Sequence, residues 1–283
     1  MLVTGIEILQ DAHKNNYAVG AFNVNNMEIV QAIIEAAEET NSPVILQASQ
    51  GGLKYAGVEY IAELGKLAAR NAKVPVALHL DHGTDFDQVM LCIRHGFSSV
   101  MIDGSKYELE ENIAITNKVI EVAHAVGVSV EAELGKIGGT EDDIVVDERD
   151  ATFTDPNEAK KFVDETGVDY LAIAVGTAHG VYKGEPRLDF DRIKTIKDIL
   201  NIPLVLHGSS GVPKEAIEKA VSLGINKINI DTDLRVAFSS AIKDFLKENP
   251  DNIDPRKILG PAKEAMKEVI KEKMELFGSV GRA

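Results

Sequence analysis

Eight short apolar runs, each succeeded by a stretch of helical periodicity, predict an α/β chain folded as a closed (β/α)8 barrel, the TIM barrel, with one additional C-terminal helix. Three observations carry that expectation. The runs are rich in Val, Ile and Leu and bounded by turn residues, as parallel strands covered on their outer side are. Strand and helix alternate in order, and no GxGxxG fingerprint follows the first run, which disfavours an open doubly wound sheet. The length of 283 residues suits a barrel, for which about 250 residues form one unit. No tandem repeat, linker or low-complexity stretch divides the chain, so residues 1–283 are expected to form a single domain.

The first strand is AVGAFNV (18–24), followed by an amphipathic run from Met27 to Glu39. PVILQAS (43–49) is the second, with a helix from about Tyr60 to Asn71. VPVALHL (74–80) and SSVMID (98–103) are separated by a helical stretch from Phe86 to His95, and a long helix covers about Glu110 to Ala125. VSVEAEL (128–134), YLAIAV (170–175), PLVLHG (203–208) and INKINI (225–230) complete the strands, with helical stretches near 157–166, 190–200, 214–222 and 233–247. Two segments depart from the repeat. Residues 135–156 form a connection longer than usual, with glycine in front and acidic residues in the middle, as a lid or functional loop has. Beyond the eighth helix lies a terminal helix, charged on one side and apolar at Ile258, Ala265, Ile270 and Leu276, suited to packing on the barrel or on a neighbouring subunit.

Composition narrows the function classes. A formal charge of −15 argues against a nucleic-acid partner, because binding a phosphate backbone needs a basic face. Hydrophobic residues at 45% and charged residues at 27% are those of an ordinary globular protein rather than a disordered one. Cys92 stands alone, which rules out an internal disulfide framework, and its place on a helical stretch reads as a small buried residue rather than a reactive thiol. The N-terminus lacks a basic region followed by a long apolar one, and no stretch approaches the roughly 20 apolar residues of a spanning helix. No membrane partner and a cytoplasmic location are the expectation.

His82, His179 and His207 each sit where an apolar run breaks into a glycine-bearing loop. All strand ends of one sense open on one face of a barrel, so the three can converge there. Three imidazoles leave a fourth position open on zinc, as a catalytic ion requires; the other reading is three unrelated hydrogen-bonded rings. Asp81 precedes His82 where the chain leaves the pleat and adjacent side chains can both enter the mouth. It reads as a general acid/base, or as a carboxylate orienting the neighbouring imidazole. His79 alternates with Asp81 and reads as barrel interior, while His13, His95 and His124 lie on helical stretches. HGSSG (207–211), NIDTDL (229–234) and AHGVYKGEP with Gly180 and Lys183 place glycine turns and a helix start on that same face, which suits a phosphate.

Taken in order, GAFNVNN (20–26), HLDHG (79–83), SVMIDGS (99–105), VEAELGKIGGTEDD (130–143), GTAHGVYKGEP (176–186), VLHGSSG (205–211), NIDTDLR (229–235) and DPRKILGPA (254–262) resemble the class II, zinc-dependent fructose-bisphosphate aldolase family over essentially the whole chain. The short insertions are similar to the class IIB branch, which also contains tagatose-bisphosphate aldolase. The resemblance implies that His82, His179 and His207 bind Zn2+, that Asp81 is the acid/base at the C4 oxygen and that Glu141 is a proton carrier on a mobile loop. It implies that Gly180, Lys183, Gly208, Ser210, Asn229, Asp231 and Thr232 hold the dihydroxyacetone-phosphate half. Arg256 would reach the far phosphate in the site of a partner subunit, within a homodimer or homotetramer. Asp103 and Glu133 match positions of a carboxylate behind the ligands or of an alternate metal contact, with plain polar lining of the mouth equally open.

The reaction so implied is a lyase step of glycolysis and gluconeogenesis. It cleaves the C3–C4 bond of a phosphorylated ketose, with zinc as the electron sink for the resulting enediolate. Asp81 would take the C4 hydroxyl proton and Glu141 would protonate the enediolate. A monovalent cation, Na+ or K+, is a further expectation at the phosphate site. Three alternatives stay open: the tagatose epimer as substrate, although NIDTDLR leans toward fructose; a metal-free aldolase using Lys227 as Schiff-base nucleophile; and a zinc-binding barrel without turnover.

Overall fold

The structure is a computed structural model and describes residues 1–141, 144–147, 151–182 and 184–283. Its first elements are α1 (Gly5–Asn15), β1 (Val19–Asn23), α2 (Met27–Thr40), β2 (Val44–Ser49), α3 (Gln50–Ala56), α4 (Val58–Asn71), β3 (Val76–Gly83), α5 (Phe86–Arg94) and β4 (Ser99–Ile102). Next come α6 (Leu109–Ala125), β5 (Ser129–Leu134), β6 (Gly138–Glu141), β7 (Ile144–Val146), α7 (Pro156–Thr166), β8 (Tyr170–Ile173) and β9 (Ala178–His179). The chain ends with α8 (Phe190–Ile199), β10 (Leu204–Leu206), α9 (Lys214–Ser222), β11 (Ile225–Ile230), α10 (Thr232–Glu248) and α11 (Pro255–Phe277).

Among the described residues, eight parallel strands close in the order β1-β11-β10-β8-β5-β4-β3-β2, while β7, β6 and β9 form a separate three-stranded sheet. The expected (β/α)8 barrel with its terminal helix is the observed architecture. Period-two alternation splits each strand between two cores. Val19, Ala21, Ile45, Ala77, Tyr170, Ala172 and Val205 pack inside the barrel. Their alternates, among them Phe22, Leu46, Leu78, Leu80, Val100, Leu206 and Ile228, form the layer beneath the helices.

Three features go beyond the sequence reading: an N-terminal helix, a short helix after β2, and a small three-stranded sheet. Residues 5–15 form α1, started by a capping box in which Thr4 and Glu7 satisfy each other's backbone N–H groups. Ile8, Leu9 and Ala12 of this helix join the inner core, and the Gly5 amide donates to Ser129 Oγ at 3.0 Å, so α1 plugs the end of the barrel where the strands begin. The short helix α3 interrupts the connection from β2 to α4. Inside the long connection after β5, β6 and β7 pair antiparallel, and β6 pairs in parallel with β9.

The inward face of the terminal helix coincides with the expected one at Ile270 and is otherwise built from other residues. Ala262, Met266, Ile270, Met274 and Phe277 are buried, whereas Ile258, Ala265 and Leu276 are only partly covered. A ridge of residues four apart follows the side of the helix that crosses α2, and two methionines fill it. Lys263 bonds Glu35 at 2.7 Å, and Lys267 and Lys271 reach Glu39 at 3.2 and 3.1 Å, so α11 is clipped to α2 of its own barrel. Among the described residues no helix is long and apolar enough to cross a membrane.

Candidate active site

The C-terminal end of β3 departs from regular pairing. Its register with β4 shifts between Leu80 and Gly83, and His82 adopts a left-handed backbone with φ 48°. Such a conformation costs about 1–3 kcal/mol in a residue with a Cβ. Its effect is that consecutive side chains share one mouth, with His82 Nε2 4.0 Å from Asp81 Oδ1. His207 follows β10 and His179 ends β9. The ring centroids of His82 lie 4.7 Å from His207 and 5.0 Å from His179, and those of His179 and His207 are 5.9 Å apart. One nitrogen from each ring falls within 4.8 Å of the others. The structure therefore brings the three strand-end histidines together.

Carboxylates set the direction of two rings. His82 Nδ1 is 3.0 Å from Asp103 Oδ2, and His207 Nε2 is 2.7 Å from Glu131 Oε1. A carboxylate accepts, so those nitrogens carry the protons and the opposite ones, His82 Nε2 and His207 Nδ1, present lone pairs to each other at 2.9 Å. Lone pairs so placed repel unless a cation lies before them. Burial makes His207 a weaker base than an ordinary histidine, against the pull of Glu131, and facing ring nitrogens each backed by a carboxylate are a donor set that suits a metal ion. Burial pushes Asp103 up, yet its bonds from His82 and Ser105 outweigh this and hold it below the usual carboxylate range. His82, Asp103 and Glu133 form a second, wholly buried trio with the same close spacing.

Asp81 is fully buried, and three side-chain amides fix its plane. Asn23 and Gln47 donate to Oδ2, both at 3.0 Å, and Asn229 donates to Oδ1 at 3.1 Å. Behind this group Lys227 Nζ lies 2.8 Å from Glu131 Oε2 and donates to Asn229 Oδ1 at 2.8 Å. His79 is interior, as expected, with Nδ1 2.6 Å from Ser99 Oγ and Nε2 3.3 Å from Glu131 Oε2.

A cleft with an empty volume of about 510 Å³ opens in front of these residues, lined by Asn23, Thr140, His179, Gly180, Gly208, Ser209, Ser210, Asn229, Asp231, Thr232 and Arg235. Two glycines let β9 lie where it does. A Cβ on Gly208, at φ 61°, would stand 2.5 Å from Ala178 O, and one on Gly139, at φ 104°, would stand 2.7 Å from His179 N. Tyr182 Oη accepts the Ala178 N–H at 2.7 Å and donates to Gly208 O at 2.8 Å, bracing the loops that carry His179 and His207. At the far side Ser210 Oγ accepts the Asp233 N–H at 3.2 Å, so the first turn of α10 faces the cleft.

A family profile described as fructose-bisphosphate aldolase class-II matches residues 3–282. The chain belongs to the class II fructose-bisphosphate aldolase family. It is 52% identical to the fructose-bisphosphate aldolase of Thermus caldophilus over 306 residues, covering 100% of both chains. It is 48% identical to the sulfofructosephosphate aldolase of Alkalicoccus urumqiensis, covering 99% of this chain and 98% of that one. The crystal structure of the YdjI aldolase from Escherichia coli K12 superposes with a TM-score of 0.88 at 37% identity, covering 100% of both chains.

Gly180, Gly208, Ser210, Asn229, Asp231 and Thr232 all line the cleft with His179. Lys183 and the side chain of Glu141 lie outside the described residues, although the Glu141 backbone is the end of β6. Arg256 is 88% exposed and bonded to Asp254 at 2.9 Å, and it does not line the cleft of its own chain. Asn23, Gln47, Thr140, Tyr182, Arg235 and Glu131 were not singled out from sequence. Arg235 stands one helical turn from Asp231, with Nη2 2.7 Å from Oδ2, a spacing that NIDTDLR carries. Glu131 shares strand parity with Glu133, which was the available signal. Lys227 is fully buried in an ion pair and is absent from the cleft lining, which argues against a Schiff-base role.

Proposed function

We propose that this chain catalyses the reversible cleavage of fructose 1,6-bisphosphate to dihydroxyacetone phosphate and glyceraldehyde 3-phosphate, with Zn2+ held by His82, His179 and His207. One observation carries the reading: two imidazoles, each backed by a carboxylate, with their other ring nitrogens facing each other at 2.9 Å, beside the amide-held carboxylate of Asp81. When bound, the ion supplies an electron sink for the carbon that keeps the electrons of the broken C3–C4 bond. Asp81 accepts the C4 hydroxyl proton as the aldehyde departs and returns it in condensation. Asn23, Gln47 and Asn229 fix its oxygens, so little reorganisation accompanies the transfer.

Glu141 follows Thr140 on β6 and in this reading carries the proton to and from C3. The pairing of β6, whose last residue is Glu141, with β9, which ends at His179, supports this reading. Gly180, Lys183, Gly208, Ser210, Asn229, Asp231 and Thr232 hold the dihydroxyacetone-phosphate half, using turn amides and the positive end of α10. Asp103 and Glu133 act behind the ligands. Na+ or K+ assists at the same phosphate, and Arg256 serves the far phosphate of a neighbouring copy in a homodimer or homotetramer. The chain acts as one barrel unit, in the cytoplasm, in glycolysis and gluconeogenesis.

The test is a cleavage assay on the metal-stripped and Zn2+-reloaded protein. Substrates are fructose 1,6-bisphosphate, its C4 epimer tagatose 1,6-bisphosphate, and the analogue with a sulfonate at C6. Expected are loss of activity on chelation, recovery with Zn2+, and kcat/KM at least tenfold higher on fructose 1,6-bisphosphate. Cleavage that survives chelation, or inactivation by borohydride with substrate, refutes the metal-dependent reading. A higher kcat/KM on the epimer or the sulfonate reassigns the substrate.

A further inference from the structure

We propose that Lys227 is a positioning residue whose single buried ammonium sets the hydrogen-bond polarity of two chains at once, one ending on the metal-binding nitrogen of His207 and the other on the carboxylate of Asp81. The inference rests on the functional reading above and extends it to a residue that does not touch the cleft.

The geometry is branched. Lys227 Nζ lies 2.8 Å from Glu131 Oε2, and Glu131 Oε1 lies 2.7 Å from His207 Nε2. The same Nζ donates to Asn229 Oδ1 at 2.8 Å, and Asn229 Nδ2 donates to Asp81 Oδ1 at 3.1 Å. An ammonium has three donors and no acceptor, so whatever faces it must accept. Asn229 must therefore turn its oxygen to Lys227, which leaves its NH2 group for Asp81. Glu131, with an ammonium beside it, remains an acceptor toward His207. This requires the proton on Nε2 and leaves the Nδ1 lone pair facing His82. Both polarities follow from one group that cannot be reversed.

Stability alone does not account for such a pair. Lys227 and Glu131 are both wholly buried, and a buried ion pair is often matched or exceeded in stability by hydrocarbon of similar volume. The neighbouring interior positions Val205, Ala172 and Ala77 show that this barrel fills with hydrocarbon elsewhere. Among the described contacts, Lys227 reaches both Glu131 and Asn229 from one ammonium.

The experiment compares E131Q, K227M and the double variant K227M/E131Q, in which no unpaired buried charge remains if K227M fails to fold. The first readout is the tautomer of His207 in the metal-free protein, from nitrogen NMR of histidine-labelled samples assigned with H207A. The second is Zn2+ affinity by chelator competition, and the third is kcat and KM at saturating Zn2+. The wild-type ring is expected as the Nε2–H form, and the double variant as a mixture, because a glutamine can present either end of its amide. Zn2+ affinity should fall about 10- to 100-fold in E131Q and in the double variant. At saturating Zn2+, K227M and the double variant should stay about tenfold low in kcat with KM within about threefold. An unchanged tautomer and affinity in the double variant overturns the proposal, and so does a wild-type kcat in K227M. Failure of the wild-type enzyme to cleave fructose 1,6-bisphosphate would count against the functional reading, while the tautomer and affinity readouts would still judge Lys227.

Discussion

Three amides on one carboxylate make Asp81 the residue whose chemistry is most tightly prescribed by its surroundings. D81N preserves the shape but removes the proton acceptor, and two amide groups would then meet donor to donor. The expected outcome is a fall in kcat of about 10²–10⁴ with Zn2+ binding retained, measured by the cleavage assay and chelator competition. Wild-type kcat in D81N would remove Asp81 from the mechanism. Cys92 gives a contrasting prediction. Burial pushes its thiol up to about 12, with Gln88 pulling slightly the other way, so thiolate is scarce near neutrality. A disulfide reagent at pH 8 should leave the folded protein untouched and titrate one thiol only in denaturant; rapid reaction of the native chain would contradict this. At this scale the histidines were legible because each ends an apolar run at a glycine. Asn23, Gln47 and Glu131 were not, since they meet Asp81 or His207 only through the register between strands far apart in sequence.

Elements, rather than single side chains, place the loops around the cleft. The pairing of β6 with β9 ties the connection after β5 to the strand bearing His179, and Gly139 is the residue paired with His179. G139A would put a Cβ against the His179 backbone at a φ of 104° that alanine rarely adopts. Expected are at least tenfold weaker Zn2+ binding and faster amide exchange over 136–141 and 177–181, with the barrel strands still protected; unchanged affinity would separate the sheet from the metal site. On the far side, α11 is held to α2 partly by charge. Glu39 is lowered from the ordinary value of 4.5 by bonds from Lys271 and then Lys267. A depressed carboxylate contributes stability above its unfolded value and loses it as pH falls through the folded one. E39Q should therefore lower Tm by about 2 °C or less at pH 7, with the difference shrinking as pH falls below the ordinary 4.5 and in 1 M salt. A difference that persists in acid would mean that the pair acts through packing. Helix α1 escaped the sequence reading because its apolar face is short and serves as a plug, and the β6–β7 pair escaped because glycine and acidic residues disguise a hairpin.

The barrel as a whole was legible because closure depends on a pattern repeated eight times, which tolerates errors of a residue or two at each end. What a single sequence cannot carry is where a second copy lies, and Arg256 brings that question to the scale of the assembly. Its side chain is 88% exposed and bonded to Asp254 on its own helix start, away from the residues that line the cleft. If it serves the far phosphate, it must do so in a neighbouring subunit. R256A should then raise KM for fructose 1,6-bisphosphate about tenfold or more, and H179A should abolish turnover through the metal site. Co-expressed as differently tagged chains, the two variants form mixed dimers in which the R256A subunit keeps all three histidines and borrows Arg256 from its H179A partner. One site of two is then whole, and an equal random mixture should regain about a quarter of wild-type activity at low substrate, as a closed twofold assembly requires. Activity equal to the sum of the separate variants would confine Arg256 to its own chain, whereas recovery confined to the purified mixed species would make the site a shared one.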